Sequence, residues 1–109
     1  MSRVADRLAE LGLSLPAVAA PVAAYVPAVR SGNQVITSGQ LPFVNGQLDA
    51  LGKVGADVSI EDAQAAAAVC ALNAIAAVGS VVDLDDIVRI VRIGVFVASD
   101  PDFHGQPQV

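Results

Sequence analysis

Residues 38–40 offer the clearest binding chemistry in this sequence. Ser38, Gly39 and Gln40 follow a β-branched run over residues 34–37, which is typical of a strand. Glycine lets its backbone amide approach a ligand closely, and Ser38 places a rotatable hydroxyl beside that amide. As a three-residue motif this signal is weak, and composition alone favours a plain bulge or turn at the end of a strand.

Tyr25 is the only tyrosine and a second candidate for a binding role. Its ring could lean over a pocket, or the residue could lie at a sheet edge with its hydroxyl in water. The residues alone favour the edge position.

The acidic and histidine side chains do not form a metal-binding pattern. Asp83, Asp85 and Asp86 lack the glycine and the later glutamate of a calcium loop, so a solvated turn is the better interpretation. His104 has no second histidine and no cysteine at metal-ligand spacing, which favours a surface histidine. We expect no metal site.

Cys70 and two arginines also have plain interpretations. Cys70 lies among alanines and is expected to be a small core residue. Arg89 and Arg92 would point to opposite faces of one strand. Pairing with Asp85, Asp86 or a neighbouring chain is favoured over binding of an anionic ligand.

Composition predicts one compact domain. The 109 residues are 54% hydrophobic and 16% charged, which argues against disorder and favours an oligomer. A net charge of −5 and a pI of about 4.4, without a basic stripe, disfavour nucleic acid as a partner. A lone cysteine, with neither a signal peptide nor an apolar run of membrane-spanning length in view, predicts the cytoplasm.

The first half of the chain predicts a helix and two hairpins. Residues 2–13 have helical spacing with Ser2 as a possible cap, and a proline-rich segment over residues 15–27 is expected to be extended. Glycine and asparagine mark the turns at 31–33 and 45–46. The predicted strand pairs are 24–29 with 34–38, and 41–44 with 47–48.

The second half predicts a long helix and a buried strand. Ser59 can cap a helix over residues 60–78, and Gly79 ends it. Of its two faces, one should cover a sheet (Ala65, Ala68, Val69, Leu72, Ile75, Ala76), and the other is small enough for a second helix (Ala66, Cys70, Ala74, Ala77). Residues 87–97 are apolar on both sides and predict a strand inside a covered sheet; residues 99–105 predict a loop.

The order of these elements resembles the RidA family, also called the YjgF family of reactive-intermediate deaminases. The motifs that carry the resemblance span residues 24–103 in the family's order. They are Tyr25-Val26, residues 32–42 with Ser38-Gly39-Gln40-Leu41-Pro42, the alanine-rich helix 63–77, residues 85–89 leading into 94–97, and Asp102-Phe103.

The resemblance implies a chorismate-mutase-like α+β fold. Such a domain has a mixed sheet with helices on one face, and three copies assemble into a trimer around a central barrel. Residues 1–23 would then be an N-terminal extension with a short helix, and residues 24–109 a partial domain. The active sites would lie in clefts between subunits.

The resemblance also implies an activity. Family members hydrolyse 2-imino acids and their enamine tautomers, such as 2-iminobutyrate and 2-aminoacrylate, to 2-oxo acids and ammonia without a metal or an organic cofactor. Tyr25 would line the cleft, Ser38 and the Gly39 backbone would contact the substrate next to its carboxylate, and Gln40 would support them. RNA cleavage, which is also attached to the family, fits poorly with the acidic pI.

The family's carboxylate-binding arginine, a nearby asparagine, a second helix and the last strands all lie downstream of the matched segment. This sequence ends at Gln108-Val109 before them, and Arg89 and Arg92 are on the wrong strand to replace that arginine. We therefore expect a fragment, inactive alone, rather than a natural short form. The alternative function is a non-catalytic paralogue that binds a small carboxylate or builds a scaffold.

Overall fold

The computed structural model describes residues 2–18, 23–48 and 51–109. Two α-helices and four strands follow one another along the chain, together with two single-turn 3₁₀ helices at Leu84–Asp86 and Gln106–Gln108. This content confirms the predicted α+β class. The elements are α1 (Arg3–Glu10), β1 (Ala28–Ser31), β2 (Gln34–Thr37), β3 (Phe43–Val44), β4 (Gln47–Leu48) and α2 (Ile60–Gly79).

The strands form two antiparallel hairpins, as predicted. In the first, Ala28 lies opposite Thr37, and the turn begins at Gly32 with a φ of 59°. In the second, Asn45 and Gly46 have φ values of 51° and 78°, the pair of positive angles that a tight two-residue turn requires. The first strand begins four residues later than predicted, and residues 19–22 of the predicted extended segment lie outside the described part of the chain.

Helix α2 begins and ends where its local signals predict. The Ser59 hydroxyl accepts a hydrogen bond from the Asp62 backbone N–H at 3.1 Å, and Glu61 adds a second negative charge to the first turn. The helix ends at Gly79, beside the Leu84 side chain. It packs against β2 and β3.

The covered face of α2 differs from the predicted one. Ala77 was placed on the open, small face, but it is 1% exposed. Ala65 and Ala68 were placed against the sheet, but both are exposed. The reason is that β2 and β3 are short, so burial is concentrated near the C-terminal half of the helix, at Asn73, Ala76 and Ala77, with Ala63 buried separately.

By length and hydropathy alone, α2 could cross a membrane, contrary to the sequence-based expectation. An 18-residue window has a mean hydropathy of 1.4, and 22% of it is buried. The helix packs on two strands and carries a hydrogen-bonded asparagine, as core helices of soluble domains do. We therefore describe it as a core helix.

Residues 87–97 form no strand ladder with any described residue, so the prediction of a strand in a covered sheet is wrong for this chain. Val88 is 88% exposed and Phe96 is fully exposed. The pattern is that of a strand with two covered faces, but the described hairpins pair only within themselves. Pairing begins just after this segment, where the Val54 N–H donates to Ala98 O and the Asp100 N–H donates to Val54 O, both at 2.9 Å.

A small core joins the loop before α2 to the tail, as well as to α2 itself. Val54, Val58 and Ala63 are buried there, and Phe103 packs against them. Gly55 has a φ of 90°, and a Cβ at this position would lie 2.9 Å from Phe103 Cβ. This close approach requires glycine.

Helix α1 is tied to the 3₁₀ turn at Leu84–Asp86. The Ser2 hydroxyl caps it locally, and the Asp85 carboxylate accepts hydrogen bonds from the N–H groups of Arg3 at 3.0 Å and Val4 at 2.9 Å. The bond from Val4, with further bonds from Ser2 and Arg3, lowers the pKa of Asp85 below its usual value. Asp85 therefore anchors α1 from within a turn that is partly exposed, as the sequence predicted.

Arg89 and Arg92 do not pair with Asp85 or Asp86. Within the described ranges, the ion pair that forms is Arg7 with Glu10, at 2.9 Å. Both Arg89 and Arg92 are exposed in the segment 87–97. Asp85 is already occupied by α1, which removes the partner that the sequence suggested for them.

Candidate functional site

Ser38 lies directly after β2 and bonds back to the residue that precedes β1. Its backbone N–H donates to Pro27 O at 2.8 Å, and its hydroxyl donates to the same oxygen at 3.2 Å. The ladder places Thr37 opposite Ala28, so Ser38 continues it by one position opposite Pro27. The end of the hairpin fixes this serine without using any charged group.

Gln40 folds back over Ser38. Its side-chain Nε2 lies 3.4 Å from both the Ser38 carbonyl oxygen and the Ser38 hydroxyl oxygen. Both hydrogen bonds are long. They also commit the serine hydroxyl, which donates to Pro27 and accepts from Gln40, so it must rotate before it can donate to a ligand.

Gly39 presents an exposed backbone amide. Its N–H makes no hydrogen bond to another described residue, and a Cβ built on it would meet nothing within 4 Å. Its φ also lies outside the left-handed region. Neither local strain nor crowding requires glycine here, in contrast to Gly55.

Tyr25 lies at the same end of the first hairpin. It precedes Pro27 by two residues, its N–H donates to Ala23 O at 2.9 Å, and its side chain is 41% exposed. Because Ser38 binds Pro27, the fold brings Tyr25 and the Ser38-Gly39-Gln40 loop into one region. Tyr25, Ser38, Gly39 and Gln40 all lie just outside the paired end of β1 and β2.

Asn73 also supports this loop, and the sequence-based reasoning did not identify it. Its side chain is 2% exposed, and its amide nitrogen donates to Leu41 O at 3.0 Å and Phe43 O at 3.2 Å. It therefore holds the three residues that follow Gln40 against α2. The available signal was a single amide side chain inside an otherwise apolar stretch of the helix.

A separate groove of about 390 Å³ lies beyond this loop. Pro42 and Val44 form one wall and α2 residues from Asp62 to Val69 the other, with Asp57 at its margin. Two carboxylates, Asp57 and Asp62, make the groove acidic. It is thus unsuited to a small carboxylate, which the uncharged Ser38-Gly39 corner suits better.

The remaining candidates stay apart from the loop. No group of three or more His, Cys, Asp or Glu side chains that could hold a metal occurs in the described ranges, and His104 is exposed in the tail. Burial raises the pKa of the Cys70 thiol on α2. Cys70 is only partly buried, whereas the sequence predicted a small core residue.

These features define a small α+β domain in which a helix holds an uncharged loop at the end of a hairpin. The chain belongs to the YjgF/chorismate mutase-like family, because the family described as "YjgF/chorismate mutase-like, putative endoribonuclease" matches residues 5–101. This match confirms the family identified from the sequence.

Three relatives show how far the similarity extends. Protein TCP17 of Trypanosoma cruzi is 43% identical over 108 residues, which cover 98% of this chain and 68% of that protein. The crystal structure of Atu1372 from Agrobacterium tumefaciens, a protein of unknown function, has a TM-score of 0.84 and 41% identity. A "putative endoribonuclease" from Shewanella oneidensis has a TM-score of 0.65 and 41% identity over 69% of this chain.

The relatives are longer than this chain. It spans 64% of Atu1372 and 50% of the Shewanella protein, while 96% of its own residues match the former. The TM-score of 0.84 confirms the predicted chorismate-mutase-like α+β fold.

Proposed function

We propose that this domain takes part in the hydrolysis of 2-imino acids and their enamine tautomers to 2-oxo acids and ammonia. The observation that carries the proposal is the Ser38-Gly39 corner, where an exposed backbone amide lies next to a rotatable hydroxyl on an uncharged strand end. Two neutral donors side by side suit a small carboxylate. 2-Aminoacrylate and 2-iminobutyrate are the expected substrates.

The chain's residues contribute binding and orientation. The Gly39 N–H donates to one carboxylate oxygen without any rearrangement. The Ser38 hydroxyl turns from Pro27 O to the other, and Pro27 O keeps the Ser38 N–H as its partner. Water then adds across the C=N bond, the proton of the new hydroxyl passes to the nitrogen as the C–N bond breaks, ammonia leaves, and a 2-oxo acid remains.

Two neutral donors do not balance a full negative charge in a protein whose own net charge is −5. The resemblance implies that an arginine downstream of the matched segment neutralises the substrate carboxylate. Arg89 and Arg92 make no hydrogen bond to this loop. The proposed activity therefore belongs to a chain of its relatives' length, with these 109 residues inactive alone.

The site is proposed to lie between subunits of a homotrimer in the cytoplasm, where reactive enamines are removed. Two observations support an assembly: only 16% of residues are charged, and the apolar segment 87–97 is exposed. Exposed apolar surface of this kind favours association. Tyr25 at the edge of the hairpin would line the cleft.

Imine hydrolysis is tested with an imino acid that is generated in the assay mixture. An amino-acid oxidase converts 2-aminobutyrate to 2-iminobutyrate, and the rate of 2-oxobutyrate formation is followed with the full gene product and with residues 1–109. We expect acceleration by the full product that falls sharply in Ser38→Ala. No acceleration by the full product would remove the proposal.

The alternative is a non-catalytic paralogue that binds a small carboxylate or forms a scaffold. Calorimetry that detects 2-oxobutyrate binding without turnover would favour it. RNA cleavage, suggested by the Shewanella neighbour's name, has the acidic charge against it. Ribonuclease activity that survives stringent purification and disappears in Ser38→Ala would favour that function instead.

A further inference from the structure

We propose that Asn73 is a positioning residue that sets the direction of the Gly39 amide from α2. The proposal concerns the conformation of the loop, and only its effect on ligand affinity rests on the proposed function. Asn73 touches no part of the Ser38-Gly39 corner itself. It acts through the backbone of Leu41 and Phe43.

The two hydrogen bonds from Asn73 hold a tight reversal at Pro42. The Phe43 N–H donates to Leu41 O at 2.8 Å, which is a three-residue turn centred on the proline. The Asn73 amide nitrogen donates to Leu41 O and to Phe43 O, so one buried group is hydrogen-bonded to both ends of that turn. Pro42 has no N–H of its own to contribute.

The loop is therefore held at both of its ends. At one end, Ser38 is fixed to Pro27 by two hydrogen bonds. At the other end, Leu41 is fixed to Asn73 on α2. Only Gly39 and Gln40 lie between these two anchors. With both ends set, the direction of the Gly39 N–H follows from the relative positions of the hairpin and the helix.

This arrangement separates the two donors of the proposed site. Loss of the Asn73 anchor leaves Ser38 in place, because its partner is on the neighbouring strand. The Gly39 amide then gains freedom, since glycine restricts its own backbone least of all residues. A general loss of stability would instead affect both donors and the rest of the core.

The test compares Asn73→Leu with Ala63→Gly in the 109-residue chain. Leucine has a similar size but makes neither hydrogen bond of the Asn73 amide. Ala63 is buried on the same helix, but it packs against Val54 and Val58 in the small core before α2. Backbone ¹⁵N–¹H resonances are recorded for both variants. We expect the Gly39 and Gln40 amides to shift in Asn73→Leu while Ser38 stays unchanged, and neither to shift in Ala63→Gly.

If the leucine variant does not fold, Asn73→Gln replaces it in the test, because glutamine keeps the amide NH₂ group on a longer side chain. A smaller shift of the Gly39 amide, with the fold retained, is then expected. Gly39 resonances that are unchanged in every folded Asn73 variant would overturn the proposal. So would equal shifts in Ala63→Gly.

The affinity for 2-oxobutyrate is measured separately by calorimetry on the full gene product. Loss of one anchoring interaction predicts a dissociation constant about ten-fold higher for Asn73→Leu. If the unaltered protein binds no oxo acid, the proposed function fails. The resonance shifts still decide the role of Asn73 in that case.

Discussion

The carbonyl oxygen of Pro27 accepts two hydrogen bonds from Ser38, one from its backbone N–H at 2.8 Å and one from its hydroxyl at 3.2 Å. The backbone bond continues the hairpin ladder, whereas the hydroxyl bond is additional. The Ser38 hydroxyl can therefore rotate toward a ligand while Pro27 O keeps its hydrogen bond from the Ser38 N–H. The fold and the proposed binding thus use the same residue through different atoms.

Ser38→Ala should separate stability from activity. Pro27 O keeps its backbone partner, so we expect unfolding free energy to fall by less than about 1 kcal/mol. Loss of one preorganised donor should lower imine hydrolysis by the full gene product about 100-fold. Thermal denaturation and the coupled oxidase assay measure the two effects, with exposed Ser31→Ala in β1 as the matched control. Unchanged hydrolysis would contradict the assignment.

Gly39→Ala and Gly55→Ala should differ in their effect on the free energy of unfolding. At Gly39 a methyl group meets open space at an ordinary φ, so stability should change by no more than about 0.5 kcal/mol. At Gly55 the φ of 90° and the 2.9 Å approach to Phe103 predict a loss of about 2 kcal/mol. Chemical denaturation compares the pair. Gly39→Ala should still weaken oxo-acid binding, because its methyl group stands beside the donor amide.

Asp85→Ala should release α1 without unfolding the rest of the domain. The carboxylate accepts hydrogen bonds from Ser2, Arg3 and Val4, and it is not part of the buried clusters. We expect faster hydrogen exchange at Val4 with unchanged exchange in α2. Asp86→Ala is the matched control, since Asp86 is exposed in the same turn. Equal effects of the two substitutions would argue against the role of the Asp85 carboxylate in holding α1.

The docking of α1 should also depend on pH in one direction. The pKa of Asp85 is lowered by its hydrogen bonds, so the docked state binds a proton less readily than the released state. The contribution to docking is therefore complete at neutral pH and is lost on acidification below the usual aspartate pKa of about 4. Val4 amide exchange or chemical shift between pH 7 and pH 3 tests this. Release already near pH 6 would require another group.

Cys70 should react slowly with thiol reagents. Burial raises the pKa of its thiol, which leaves less of the nucleophilic thiolate at pH 8 than a free cysteine has. We expect the native chain to react with an aromatic disulfide more slowly than the same chain in denaturant. Equal rates in both conditions would show that the thiol is more accessible than its position on α2 suggests.

Local signals in the sequence predicted the local structure well. Ser59 and Asp62 are three residues apart, and Asn45 and Gly46 are adjacent, so each pair acts whatever the rest of the chain does. Helix α2 and both hairpins followed from such pairs. Helix α1 was predicted with its cap, but it ends at Glu10, before Gly12 takes a positive φ.

Long-range partners were not predictable in the same way. Asp85 meets Val4 across 81 positions, and Asn73 meets Leu41 across 32, with no motif to mark either pair. The loop proposed to bind the substrate was singled out because the family resemblance marks Ser38, whereas Asn73, its anchor on α2, was missed. Residues 87–97 have the composition of a strand, but composition does not supply a neighbouring strand to pair with.

The bond between Ser2 and Asp85 spans 83 positions, which sets an order of events during synthesis. At about 5 to 20 residues per second, a ribosome needs roughly 4 to 17 s to extend the chain from Ser2 to Asp85. Both hairpins can close within microseconds of emerging from the exit tunnel. Ser2 therefore waits without its acceptor until Asp85 has been translated.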